Sequence, residues 1–214
     1  MVSLKQTLKD GYSLLRYLEH MRVAKISLSG NVIDLCAKSE SERYFSFIDM
    51  SGVEKIEFCD ILPLSENVLQ INLEKPFNIK DNSYDHVMYF NVLEHIYNYQ
   101  NVILESYRIL KTDGECHCII PFMWHYHGDT DDFNRFTHTA LYRKYKDVGF
   151  ENVEIWPIGG GFWTLIANLI TLKITVWWLK YAIIQSCMFL ENIAQRIYGK
   201  RLNFALGYYV RAVK

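Results

Sequence analysis

Three side chains within nine residues of one another carry the most reactive chemistry in the sequence: His127, Asp132 and Arg135. An imidazole with an unperturbed pKa near 6.5 is suited to take a proton at neutral pH. A neighbouring carboxylate could orient it, and a guanidinium could hold an acceptor. The same residues allow a plainer reading, in which Arg135 pairs with Asp131 or Asp132 to tie down a loop and His127 caps backbone groups. Two further acids, Asp34 and Asp60, each end a short apolar run, and Cys116, His117 and Cys118 stand together. Alternation along a strand puts both sulfurs on one face with no second ligand pair evident, so core packing is expected there and no metal is assigned. His117 reads as structural, and His95 as packing and hydrogen-bonding at the start of a helix.

The elements that would position these groups follow from hydrophobic periodicity. Residues 4–22 place leucines at helical spacing and predict one or two leading helices. Strands are expected at 31–35, 55–60, 68–72, 84–90, 115–122 and 153–157. Helices are expected over 40–50, 96–110 and 139–148, with a turn at 111–114 and Gly149 as a left-handed C-cap. Alternating strands and helices predict a mostly parallel sheet covered on both faces, with ligands outside the carboxyl ends of its strands. The loops after Leu35, Asp60, Asn72, Phe90 and Phe122 are therefore the places to look.

Composition narrows the function. The chain has 214 residues, half of them hydrophobic, and a net charge of -1, which argues against nucleic-acid binding through bulk positive charge. Five cysteines without a C-x-x-C pair suggest reduced thiols in a cytosolic protein. The start, M-V-S-L-K-Q-T-L-K-D, has no apolar run of the secretory kind. No G-x-G-x-x-G follows the first strand, which speaks against a dinucleotide-dependent oxidoreductase.

The run S-Y-D-H-V-M-Y-F-N-V-L-E-H-I at 83–96, followed by E-S-Y-R-I-L-K-T-D-G at 105–114, resembles the type 11 S-adenosylmethionine (SAM)-dependent methyltransferases of class I. Pro121-Phe122, His127-Gly128 and D-F-N-R-F-T at 132–137 are similar to a segment of bacterial members associated with surface-polysaccharide synthesis. The resemblance implies a single Rossmann-like α/β domain with a seven-stranded, mostly parallel sheet, helices on both faces and an antiparallel last strand. In this chain the parts would be leading helices at 1–30, a cofactor-binding core at 31–158 and the last strand at 204–214, with an apolar helical insertion at 161–203 where the family has a short turn.

The resemblance also implies SAM as cofactor. Asp34 would end the strand before the cofactor loop, and Asp60, with Ile61 beside it, would bind the ribose diol. Asn72 and Leu73 would meet the adenine, and Asn91 and Val92 the methionine end. Where the family has glycines, this chain has Cys36 and Ala37. If the backbone there needs positive φ, strain of about 1–2 kcal/mol per residue is expected.

The stretch from Phe162 to Leu190 is too interrupted by Lys173 and Lys180 to span a bilayer. Three readings stand: a buried hairpin extending the core, a homodimer interface, and a membrane-interface helix with Trp163, Trp177, Trp178 and Tyr181 at headgroup level. Thr164, Asn168, Thr171 and Thr175 form a weakly polar stripe along it. The leading functional expectation is O-methylation of a sugar hydroxyl on a membrane-linked glycan or glycolipid, by a cytoplasmic enzyme peripheral to the inner face of the membrane. The alternative is an inactive, membrane-associated scaffold.

Overall fold

The computed structural model describes residues 2–37, 39, 41–63, 65–126, 131–198 and 204–214. Two short helices lead, α1 (Leu4–Lys9) and α2 (Leu14–Val23), each opened by a serine whose hydroxyl accepts an amide of the first turn. The strands are β1 (Ser27–Asp34), β2 (Asp49–Asp60), β3 (Val68–Gln70), β4 (Tyr84–Phe90), β5 (Leu110–Pro121), β6 (Asn152–Gly160) and β7 (Phe204–Val213). They form one sheet in the order β3-β2-β1-β4-β5-β7-β6. β7 runs antiparallel to both of its neighbours, and the other pairings are parallel.

Central strands are buried on both faces, which is why they read as continuous apolar runs. Ile33, Val87, Cys116, Cys118 and Val210 belong to a core shared with α3 (Tyr99–Ile109) and α4 (His138–Val148). Val32, Met88, Ile119 and Tyr209 belong to the opposite core, with Leu15 and Val23 of α2. Thr137 caps α4, and Gly149 closes it in the left-handed region at φ 119°, as its sequence position predicts.

Two expectations need correction. The helix expected over 40–50 is a single 3₁₀ turn, Arg43–Ser46, because the aromatic run through Phe47 feeds directly into a strand. β2 consequently begins at Asp49, six residues earlier than expected, and its first half pairs with Ser27–Gly30. The turn expected at 111–114 is absorbed into β5 as a register break, with Asp113 at φ 63°.

The insertion forms α5 (Phe162–Thr171) and α6 (Trp177–Tyr198). Glu191 of α6 caps α5, accepting the amides of Trp163 (2.8 Å) and Thr164 (3.2 Å). Gly161 makes this approach possible, since a Cβ there would lie 1.8 Å from the Glu191 carboxyl carbon. One face of the hairpin packs on the leading helices, joining Ala167, Ile184 and Cys187 to Leu4, Leu8 and Leu14.

The polarity of α5 is the reverse of that expected for a helix in water. Thr164, Asn168 and Thr171 are buried, whereas Leu169 and Ile170 are half exposed. Both side-chain amide atoms of Asn168 are buried without a hydrogen-bond partner. The aromatic expectation is also revised. Trp177 packs against α1 beneath Lys5 and Lys9, and Trp163 and Tyr181 are half-buried beside it. Trp178 points outward, 60 % exposed. No helix among the described residues is long and apolar enough to cross a membrane.

Candidate functional site

The carboxyl ends of β1, β2, β4 and β5 meet at one edge of the sheet, where Asp34, Asp60, Asn91 and Pro121 stand. Asp34 is buried and organises the loop that follows it. One carboxylate oxygen accepts the amides of Cys36 (3.1 Å) and Ala37 (3.0 Å), and the other accepts the Tyr44 hydroxyl at 2.6 Å. Burial pushes Asp34 up to about 6, against the pull of these three donors.

None of the described residues of this loop has positive φ. The strain expected from the missing glycines is therefore not present at Cys36 or Ala37, because Asp34 holds their amides in an ordinary turn. Ala37 is buried in the α2-side core, and Cys36 is exposed.

Tyr44 carries a testable consequence. Removing a donor from a buried carboxylate costs about 1.5–3 kcal/mol, so Tyr44→Phe is expected to destabilise the fold by that amount at pH 8. Asp34 titrates higher in the fold than unfolded, so its contribution is complete below pH 3.8 and is lost as pH rises through about 6. The Tyr44→Phe penalty should accordingly shrink toward pH 4, as urea unfolding would show.

Asp60 is half-buried, with one oxygen accepting the Leu62 amide at 3.0 Å, while Ile61 beside it is exposed. Asn72 closes a similar turn on Glu74 (2.9 Å), and Leu73 is buried in the α3-side core.

Asn91 follows β4 in the left-handed region at φ 55°, a conformation asparagine tolerates better than most residues. Its amide nitrogen donates to Glu19 and its oxygen accepts from Arg16, both at 3.1 Å. Arg16 also pairs with Glu19 at 2.9 Å. Val92 is buried behind it.

Arg16, Glu19 and Asn91 border a cavity of about 220 Å³ that is also lined by Glu94, Pro121, Trp124 and His125. Burial raises the pKa of Glu19, with Arg16 pulling it down, and pushes Glu94 up to about 8. A second hollow of about 230 Å³ shares Trp124 and is lined by Asp132 and Arg135.

Of the acceptor-side candidates, His127 lies outside the described residues. Arg135 grips both oxygens of Asp132, one at 2.6 Å, so the loop-tying pair foreseen in the sequence is present. The backbone carbonyl of Glu94 accepts the amides of Phe133 (2.7 Å) and Asn134 (3.3 Å), which stitches this segment to the loop after β4. His95 bonds the Asp131 carbonyl at 2.8 Å.

His117 faces away from Cys116 and Cys118, in a ladder with His86 (3.2 Å) and the Tyr209 hydroxyl (2.8 Å). Burial lowers both imidazoles, His117 to about 3.

Glu94, Glu19, Arg16, Trp124 and His125 were not singled out by sequence reasoning. Glu94 had left a trace: it is the acid of the N-V-L-E-H run that carries the family resemblance, though no role was read from it. Arg16 and Glu19 look like any ion pair spaced i,i+3.

Residues 11–118 match the family described as "Methyltransferase domain", and the chain belongs to that family. It is a SAM-dependent methyltransferase. No curated protein matches it in sequence. Its fold is similar to a SAM-dependent methyltransferase from Archaeoglobus fulgidus, at 18 % identity and TM-score 0.54 over 99 % of this chain and 95 % of that one. Phosphoethanolamine N-methyltransferase 2 of Haemonchus contortus, in complex with SAM, aligns at 13 % identity and TM-score 0.55 over 100 % of this chain and 60 % of that one. The [4+2]-cyclase SpnF aligns at 14 % identity and TM-score 0.56 over 92 % of this chain and 79 % of that one. Identities this low speak to fold alone.

The donor set at the sheet edge fits SAM. Asp60 stands at the end of β2, where a carboxylate suits a vicinal diol. Asp60→Ala is expected to weaken SAM binding by about 1.5–3 kcal/mol, the range for hydrogen bonds to a charged group. Calorimetric titration checks this, and equal affinity would remove Asp60 from the site.

Proposed function

We propose that this methyltransferase works at a membrane surface and methylates a hydroxyl of a lipid-linked glycan or glycolipid, with SAM as donor. The observation that carries the reading is the inverted polarity of α5, continued by the outward residues of α6. Phe162, Ile170, Trp178, Phe189 and Ile197 are all 45 % exposed or more. Such a face is unfavourable in water and suits the boundary between headgroups and acyl chains. Lys5, Lys9 and Lys173 are exposed on the same part of the molecule, the first two against Trp177, and would favour anionic lipid.

Position supports the same reading. β6 ends at Gly160 on the edge where β5 ends, so the hairpin leaves the sheet on the side of the cavity. It packs on α1 and α2, and α2 carries Arg16 and Glu19 into that cavity. A face resting on lipid would hold the reaction site near a lipid-anchored acceptor, at the cytoplasmic side where SAM is available.

In this reading Asp60 holds the ribose, and Asn91 and Val92 border the methionine end. Arg135 and Asp132 shape the acceptor side. SAM supplies an electrophilic methyl group. The protein aligns the acceptor with it and provides a destination for the acceptor proton. Incubation with methyl-labelled SAM and a bacterial glycolipid extract should place label in lipid-extractable saccharide, and none in the same extract lacking lipid-linked glycans. Label confined to water-soluble small molecules would refute the acceptor class.

A further inference from the structure

Glu94 is fully buried, and among the described residues neither of its carboxylate oxygens has a hydrogen-bond partner in another residue. The His95 Nε2 lies 3.8 Å from one of these oxygens. Its main chain is not loose, because its carbonyl holds Phe133 and Asn134. A carboxylate buried in this way is costly, and proteins normally pair it or replace it. Among the described residues no other side chain hydrogen-bonds it, and it lines the cavity between α2 and the loops after β4 and β5.

The other groups around the cavity are already paired. Arg16 is held by Glu19 and by Asn91, which in turn bridges them. The charges facing Glu94 are Glu19 and Arg16 from α2, His95 on its own turn, Asp132 and Arg135 from the segment before α4, and the titratable His125 from the loop after β5. Two carboxylates in so small a space disfavour an anionic occupant such as a carboxylate or phosphate. They favour one that donates hydrogen bonds.

We propose that this cavity is the acceptor pocket and that Glu94 receives the proton of the acceptor's hydroxyl or amine. The inference rests on the methyltransferase reading and specifies its chemistry. The acceptor oxygen or nitrogen forms a bond to the methyl carbon as the carbon–sulfur bond breaks, and that electron pair stays on sulfur as neutral thioether. The acceptor proton passes to the Glu94 carboxylate and from there to solvent. Glu94, and not His127, is the proton acceptor, and Glu19 positions the acceptor while Asn91 stays at the methionine end.

The test needs no acceptor. SAM carries a positive sulfonium, whereas S-adenosylhomocysteine carries a neutral thioether, and the two are otherwise alike. A sulfonium beside Glu94 favours the ionised carboxylate. At pH 7, SAM binding should therefore release about one proton more than S-adenosylhomocysteine binding. The count comes from calorimetric titration in buffers of different ionisation enthalpy. Glu94→Gln, which keeps the shape of the side chain, should abolish the difference, and Glu19→Gln should leave most of it.

Equal proton counts for the two ligands in the wild type would overturn the proposal without requiring any variant to fold. A difference that survives Glu94→Gln would overturn the assignment to this residue. Failure of both ligands to bind would instead overturn the cofactor reading beneath it.

Discussion

Glu94→Gln is expected to make the protein more stable, and increasingly so as pH rises. Glu94 titrates at about 8 in the fold and near 4.5 when unfolded, because burial disfavours its charge. Its contribution to stability is complete below pH 4.5 and is lost as pH climbs through 8. Glutamine has no such penalty. The variant and wild type should differ little at pH 4.5, and the variant should gain roughly 3–5 kcal/mol by pH 9. For a chain of 214 residues that is a rise of roughly ten degrees in Tm. Glu19 and Asp34 slope the same way and are present in both proteins, so they largely cancel in the difference. Thermal unfolding between pH 4.5 and 9 checks the expectation. A glutamine variant less stable across the whole range would show that Glu94 holds the fold together. A gain in stability would mark it as kept for another purpose, since catalytic sites are where stability is commonly sacrificed.

The second large effect concerns the outer face of the hairpin. Trp178 and Phe189 are 60 % and 65 % exposed, and three helical turns place them on one side of α6. Large apolar side chains contribute about 1.5–3 kcal/mol each when fully removed from water. Replacing both with glutamate should lower partition onto anionic vesicles by at least about a hundredfold. Because neither side chain is in the core, SAM affinity and Tm should be nearly unchanged. Trp177 is a poor choice for this test, since it packs against α1 beneath two lysines. Flotation with vesicles is the measurement. A wild type that ignores vesicles and stays monomeric without detergent would sink the membrane reading. A detergent-free dimer that dissociates on the same substitutions would make this face a subunit interface.

Much of the fold was legible because its signals are local. Runs such as Val32-Ile33 and Val87-Met88 are apolar on both faces, and only a covered parallel sheet explains several of them in sequence. The region from 40 to 53 was misread because Tyr44, Phe45, Phe47 and Ile48 fit a helical face as well as a strand approach. Pairing of Asp49–Val53 with β1 decided between them, and that partner is distant in sequence. The loop after Asp34 was left open between two paths for a different reason. Missing glycines suggest strain only when the family's backbone path is assumed, and the Asp34 carboxylate sets another path here. The cavity was the least legible feature. Arg16, Glu19, Asn91 and Glu94 come from separate segments, and desolvation of Glu94 becomes visible only when all of them are assembled. The polar stripe of α5 was seen, but sequence could not show that it turns inward.

The position of β7 has a consequence for the order in which the molecule is built. Among the described residues β6 has β7 as its one neighbour in the sheet, and β7 itself must slot between β6 and β5. All of α5 and α6 lies between those two strands in the chain. During synthesis β5 therefore waits with an open edge, and β6 with no sheet partner at all, until the hairpin has been made. Closing a long flexible loop is slow and leaves apolar strand edges exposed meanwhile. The clasp between Glu191 and the first turn of α5 holds that loop folded back on itself. The same clasp that shapes the outer face thus also shortens the path from β6 to β7.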